Sequence, residues 1–425
     1  MTTEQLYEIY KKNHSVQTDT RKLQPGDIFF ALKGDNFNGN SFAKKALDSG
    51  ASYAVIDEKE FEIPGKTILV DDVLTTLQQL AKYNRQQFSI PVLAVTGSNG
   101  KTTTKELIHV VLSSTFKTYT TEGNLNNHIG VPLTLLKVKQ DAEIIVVEMG
   151  ANHPGEIASY CSWALPTHRI ITNCGKAHLE GFGSSEGVRK GKGELYDHLR
   201  NNNGTAFVMR DYDYLREMSK GIPVVIWYGT AESDIEGRAK SSEPFLDILL
   251  TKGLNTSLLK TQLVGEYNLS NVLAAVAAGK YFQVPEDKIK NAIENYTPSN
   301  SRSQLIKKGN NTIILDAYNA NPSSMKMAIE NFSRLGTTKK VLMLGEMAEL
   351  GEESLTEHKI LVDQISLAKL KAVVLVGGDF RKIDHSFIQF ENSVQAKEWL
   401  HQQHFENVHL LIKGSRSMQM EKVLE

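Results

Sequence analysis

The run Val92-Leu93-Ala94-Val95-Thr96 leads straight into Gly97-Ser98-Asn99-Gly100-Lys101-Thr102-Thr103, and this junction limits what the chain can fold into. An unbroken apolar run suits a strand buried on both faces, as in parallel sheets covered by helices. The glycines let the backbone turn tightly and bring its N–H groups onto phosphate oxygens. The helix that follows adds partial positive charge at its start. Lys101 can reach the β and γ oxygens, and the Thr102 hydroxyl can bind Mg²⁺. The loop departs from the general GxxxxGK[ST] spacing, because Val95 stands at the first glycine position. Gly-Lys-Thr directly after a buried strand still reads as an ATP loop running from Gly97 to Thr103.

The chain has 425 residues, more than one core of roughly 100–200 residues holds. Alternating strand and helix signals predict an α/β protein of three domains. Residues 1–88 form a small α/β unit. Strands are expected at Asp27–Leu32, Ser52–Ile56 and Thr67–Val70, with Ser41 capping one helix and Asp71 or Asp72 another. Residues 89–297 carry the ATP loop on a doubly wound parallel sheet. Its strands are expected at Val92–Thr96, Ile144–Met149, Arg169–Thr172, Thr205–Met209 and Val224–Trp227. An antiparallel pair, Leu246–Leu250 and Leu258–Val264, and an Ala-rich helix, Leu269–Phe282, complete it. The polar stretch Thr297–Ser301 reads as a linker. Residues 298–425 restart the alternation as a Rossmann-like domain with strands at Thr312–Leu315, Lys340–Leu344, Ala372–Val376 and Val408–Ile412.

The formal net charge is -1, which lacks the basic surplus of a broad nucleic-acid grip. Two cysteines, Cys161 and Cys174, are too few for a secreted disulfide framework or a Cys-rich metal centre. No basic-then-apolar leader opens the chain. No apolar stretch reaches the roughly 18 residues of a membrane span. A cytoplasmic protein without membrane insertion is expected.

Several residues on the loop's side of the sheet can carry chemistry. Glu148 ends an apolar strand, and the carboxyl ends of parallel strands share one edge, so Glu148 is a Mg²⁺ candidate. His178 follows the next strand; its position alone fits a site role or an ordinary surface residue. Lys192 lies in Arg189-Lys190-Gly191-Lys192-Gly193-Glu194. Most such runs are solvated basic patches, but glycines cost a helix face about 1 kcal/mol each, so something is expected to approach the backbone there. Asn124, Asn126 and Asn127 are either turn residues or neutral hydrogen-bonding groups for a polar substrate. In the third domain Asp316 ends a strand, and Asn321-Pro322 suits a helix start. Arg302, in the linker, could move with that domain onto ATP.

Together these residues resemble the Mur ligases, along nearly the whole chain. Thr18-Asp19-Thr20-Arg21 and Pro25–Gly34 resemble the family's nucleotide-sugar-binding start. Glu148–Ile157, Ala177–Gly183, Tyr318–Met325, Leu344–Gly351 and Lys413–Met418 are similar to the member that joins D-alanyl-D-alanine to UDP-N-acetylmuramoyl-tripeptide. The resemblance implies an ATP-dependent amide ligase of peptidoglycan synthesis, working as a monomer. It implies a Lys192 carbamoylated by CO₂ and two Mg²⁺ ions, one held by Thr102 and Glu148, the other by His178 and the modified Lys192. Lys101, Lys192, His178 and Glu148 would be catalytic. Asn268 and Asn271 would meet adenine, with Tyr267 where the family commonly has His. Arg302 and Asp316 would contact ATP. Thr20, Arg21, Lys33, Asn126, Asn127, Tyr318, Asn319, Asn321, Lys413 and Ser415 would serve the substrates, with the first domain taking the nucleotide precursor and the third the dipeptide. A GTPase would need Asn-Lys-x-Asp, and no Asn-Lys pair occurs.

Overall fold

The computed structural model describes residues 1–13, 15–299, 301–368 and 370–425. Three main sheets follow one another along the chain. The first has four parallel strands, Val16–Gln17, Ile28–Phe30, Tyr53–Ile56 and Thr67–Leu69, in that spatial order. The helix Val73–Gln86 covers it, and Asp72 rather than Asp71 caps that helix by accepting from the Thr75 N–H at 2.6 Å. Val73, Leu77, Leu80, Ala81 and Asn84 are buried, one stripe at helical spacing. Asn84 also donates to the Leu136-side helix through Leu135 O at 2.9 Å. The Tyr10 hydroxyl donates to Leu136 O at 2.5 Å, so the first sheet's helices are tied to the central region. Ser41 does not cap as expected. A 3-10 turn, Gly39–Phe42, precedes the helix Ala43–Asp48, and Asn38 caps that turn. The opening helix Thr3–Asn13 has no helix-start signal beyond Thr2 and was not expected.

The central sheet has nine strands. We label β1 (Val92–Thr96), β2 (Ile144–Glu148) and β3 (His168–Ile171). β1 is flanked by β2 and β3, both parallel to it. The chain runs outward to one side of β1 and then returns to the other, so the loop after β1 lies at a topological switch point, where open α/β sheets bind ligands. All five residues of β1 and of β2 are buried. Helix α1 (Lys101–Ser113) follows the loop, α2 (Ser185–Asn202) lies between β3 and Thr205–Met209, and α3 (Leu269–Tyr281) packs on α1. Beyond Val224–Gly229 the sheet is extended by Ile235–Ser241, Asp247–Lys252 and Leu258–Lys260; the first of these joins Val224–Gly229 in parallel, and the other two joints are antiparallel, the last as expected.

The third sheet runs Gln304–Lys308, Asn311–Asp316, His409–Lys413, Lys340–Gly345, Ala372–Val376 and Ile388–Phe390. We label β4 (Asn311–Asp316), α4 (Pro322–Arg334), β5 (Lys340–Gly345), α5 (Ser354–Ser366) and β6 (His409–Lys413). Its first pair is an antiparallel hairpin closed by Gly309-Asn310; the others are parallel. In the expected linker, Asn300 lies outside the described residues; Ser301 and Ser303 are left-handed, with φ of +56° and +50°.

Candidate active site

The loop after β1 is held by the strand beside it. Gly97 has φ +146°, and a Cβ there would lie 2.0 Å from Thr172 Oγ1, so only glycine passes. The Ser98 N–H donates to Asn173 O at 2.9 Å, and its hydroxyl donates to Gly175 O at 2.7 Å. Lys101 Nζ folds back over the loop and donates to Gly97 O at 2.8 Å and Ser98 O at 3.2 Å. Desolvation lowers its pKa, against the opposing pull of Glu148. Thr103 is half-buried on the first turn of α1.

Glu148 closes the far side of the loop. Its Oε1 accepts from Thr102 Oγ1 at 3.0 Å and from Asn126 Nδ2 at 2.8 Å, while Oε2 is buried without a partner. A buried carboxylate oxygen without a donor is costly. A hydroxyl, a carboxylate and an unpaired oxygen are the hard donors that Mg²⁺ takes, so these residues fit that ion. Asn127 does something else: its Oδ1 accepts the Gly130 N–H at 2.9 Å and starts the helix Gly130–Leu136. Of this cluster, Asn126 therefore reaches the carboxylate and Asn127 is turn chemistry.

Lys192 is fully buried on α2. Its Nζ donates to Ala151 O at 3.0 Å and lies 5.2 Å above the Phe182 ring. Burial, reinforced by Lys101, brings its pKa down to about 7. An amine that is neutral near pH 7 is the form that adds to CO₂, so the side chain fits a carbamate. The basic run divides: Arg189 and Lys190 are exposed, as in a solvated patch, and only Lys192 turns inward. The run lies within α2, and the approach inferred from its glycines is Phe182: a Cβ on Gly191 would lie 2.4 Å from Phe182 Cε1. His178, left-handed at φ +52°, presents Nδ1 2.5 Å from Glu349 Oε2, and this contact holds the Glu349 carboxyl below its usual range. Among the described residues no three His, Cys, Asp or Glu side chains converge as a ready metal cluster.

The third domain meets this edge. The Arg302 guanidinium stacks on Tyr318, 3.5 Å from the ring centroid. Asp316 accepts from the Ser303 N–H at 3.0 Å and from Lys413 Nζ at 2.6 Å. Lys413, which also donates to Asn319 O at 3.1 Å, and Ser415, which donates to Glu346 O at 2.7 Å, are buried braces. Asn319 Oδ1 accepts the Ala320 N–H. Asn321 Nδ2 donates across to Asn99 Oδ1 at 2.7 Å. Behind the loop, Asn271 Nδ2 donates to Asn268 Oδ1 at 2.8 Å and Thr104 Oγ1 donates to Asn271 Oδ1 at 3.0 Å. The Tyr267 hydroxyl pairs with Ser303 Oγ at 2.8 Å. In the first domain, exposed Arg21 grips Asp19, half-buried Thr20 lies beside them, and Lys33 pairs with Asp57 at 3.1 Å. Asn173 and Glu349 were missed by sequence reasoning. Asn173 follows β3 at the loop's edge, and the strand-end argument that found Glu148 could have found it. Burial pushes the thiols of Cys161 and Cys174 up to about 12.

A switch-point phosphate loop, a carboxylate facing it and a third domain bearing on it define an ATP-using ligase class, and the chain belongs to the Mur ligase family. Residues 12–85 match the Mur ligase family catalytic domain, 95–279 the Mur ligase middle domain and 301–422 the Mur ligase glutamate ligase domain. The UDP-N-acetylmuramoyl-tripeptide–D-alanyl-D-alanine ligase of Bacillus subtilis is 37% identical, over 97% of this chain and 92% of the relative. The ligase of the same name from Escherichia coli is 35% identical, over 96% and 92%. A crystal structure of MurF from Acinetobacter baumannii has a TM-score of 0.89 at 30% identity, covering 100% of this chain and 97% of that one. MurF from Thermotoga maritima in complex with ADP has a TM-score of 0.85 at 28% identity, covering 97% and 96%.

Proposed function

We propose that this chain joins D-alanyl-D-alanine to UDP-N-acetylmuramoyl-tripeptide at the expense of ATP, releasing ADP and phosphate. The observation that carries the reading is Glu148 bound to Thr102 within an ATP loop, in a chain matched end to end by ligases of that name. A carboxylate oxygen of the tripeptide attacks the γ-phosphorus and ADP leaves. The dipeptide amine then attacks the carbonyl of the acyl phosphate, loses its proton, and phosphate is expelled. No protein nucleophile is required.

The chain's own residues bind and orient. The loop from Gly97 to Thr103 cradles the phosphates, with Lys101 against their negative charge. Asn268 and Asn271, behind the loop, serve adenine. Arg302 and Asp316 address ATP from the third domain, and Asn126 borders the reacting carboxylate. Thr102 and Glu148 would hold one Mg²⁺, and His178 with a carbamoylated Lys192 a second. Held there, such ions would screen the repulsion between the two anionic reactants. Residues 1–88 take the nucleotide precursor through Thr20, Arg21 and Lys33. Residues 89–297 bind ATP. Residues 298–425 close and take the dipeptide. Lys413, Ser415, Asn319 and Tyr318 shape that face through the braces they make. ATP and a nucleotide-linked substrate suit a monomer working in the cytoplasm, in peptidoglycan synthesis.

The test incubates the protein with ATP, Mg²⁺ and UDP-tripeptide, with and without D-alanyl-D-alanine, and follows product mass and phosphate. Product of the joined mass, with phosphate release requiring both substrates, is expected. Equal phosphate release without the amine contradicts the reading.

A further inference from the structure

Asn99, the residue between Ser98 and Gly100 in the ATP loop, is gripped from two domains at once. From the central domain, Asn173 Oδ1 accepts the Asn99 N–H at 3.1 Å, and Asn173 Nδ2 donates to Asn99 O at 3.0 Å. Thr172 Oγ1 donates to the same carbonyl at 2.6 Å. Both backbone groups of Asn99 are thus fixed within one domain. Its side chain answers to the other domain: Asn99 Oδ1 accepts from Asn321 Nδ2 at 2.7 Å.

Asn321 is buried and both ends of its amide are engaged. Its Oδ1 accepts the Ser324 N–H at 2.9 Å and caps α4, within a capping box that Ser324 Oγ completes. The cap fixes the orientation of the amide, because only the carbonyl oxygen can accept an N–H. The NH₂ is thereby aimed at Asn99. Two residues on, Ser323 Oγ accepts the Lys176 N–H at 3.0 Å. The start of α4 therefore lies along the same edge that positions the loop, and Asn321 bonds to the loop itself.

We propose that Asn321 is a positioning residue rather than a substrate ligand. It passes the docking of the third domain to the ATP loop through Asn99, so the loop and Lys101 after it take their working geometry when that domain is closed. The inference rests on the ligase reading above.

Asn321→Thr separates the two jobs of the amide. A hydroxyl also caps a helix, but the side chain is too short to donate to Asn99 Oδ1; a carboxylate would not serve, because the Asn99 amide could turn and offer it the Nδ2 that has no partner. Asn321→Ser keeps the cap with a side chain too short to reach Asn99. Both variants should melt like the parent. In both, kcat for ligation should fall about tenfold, the worth of roughly one hydrogen bond, with the KM for ATP within about twofold of the parent. Asn99→Ala should show the same fall, and Asn99→Ala/Asn321→Ser should be no slower than the slower single variant, since one bond cannot be lost twice. Parental kcat in both Asn321 variants, additive losses, or a fall that tracks a lowered melting temperature overturns the proposal. A parent protein that binds ATP but makes no joined product fails the ligase reading instead. Nucleotide-driven closure, followed by X-ray scattering, then tests Asn321, and parental closure in Asn321→Thr overturns its role.

Discussion

Glu148 and Lys192 are opposite charges buried a short way from the same loop, and they solve burial differently. Glu148 keeps one oxygen hydrogen-bonded by Thr102 and Asn126. Lys192 gives up its charge, its pKa brought down to about 7. Lys192→Met keeps the volume and removes the amine. It should make no ligated product and melt at or above the parent, because a thioether needs no partner in a dry pocket. Near-normal turnover would sink the carbamate assignment. A second residue sets an acid limit. Burial, with Arg169 beside it, lowers His168 from 6.5 to about 4. The unfolded chain then binds more protons than the folded one between those values, so stability is complete above pH 6.5 and falls as pH drops toward 4. The loss is of the order of 2–3 kcal/mol. His168→Phe should make that part of the stability curve shallower in urea melts, leaving the share of His198, which burial also lowers to about 4; an unchanged slope would assign the acid sensitivity elsewhere.

Elements whose side chains dictate their burial were legible in the sequence. β1 and Ala372–Val376 are unbroken apolar runs, and the structure gives them the expected bounds. Strands defined by a neighbour's pairing were not. Ile235–Ser241 reads IEGRAKS, with only Ile235 and Gly237 buried; Gln304–Lys308 is an edge strand ending in two lysines; Thr118–Thr120 has no fully buried residue. Caps divided the same way. Asp72 was visible because nothing separates it from its helix, whereas the 3-10 turn ahead of Ala43 moved the cap from Ser41 to Asn38. Asp72→Ala should cost about 1 kcal/mol, read as a lower urea midpoint with kcat unchanged. Gly191→Ala should lower activity as well as stability. Its methyl would press on Phe182, beneath Lys192, and ligation should fall by more than stability accounts for. Phe182→Leu in the same chain should recover part of it; no recovery would place the fault elsewhere on α2.

At the scale of the whole molecule, the central and third domains share a run of apolar contacts and add a few polar bonds across it. Lys176 Nζ lies 2.5 Å from Glu357 Oε1, whose carboxylate is buried on α5. Glu349 reaches His178, and Asn321 reaches Asn99. Contacts of this kind hold a shape weakly enough to be undone by a substrate cycle. Glu357→Gln should enlarge the radius of gyration in solution and lower kcat; unchanged scattering would show that the pair does not hold the domains. Such joints were beyond the sequence, because Asn99 and Asn321 are 222 positions apart and spacing says nothing across that gap. The ATP loop and Glu148 were within it, because strand ends on one edge are neighbours by construction. The two cysteines turn this layered stability into something that can be timed. Cys161 sits in the helix Glu156–Ala164, and Cys174 follows the residue that grips the loop, its N–H donating to the Tyr214 hydroxyl at 3.1 Å. Both are buried and slow to ionise. A thiol reagent therefore acts as a pair of clocks: labelling at Cys174 runs at the pace of local breathing beside the ATP loop, and labelling at Cys161 at the pace of wholesale opening. Nucleotide should slow the first clock while leaving the second to follow denaturant.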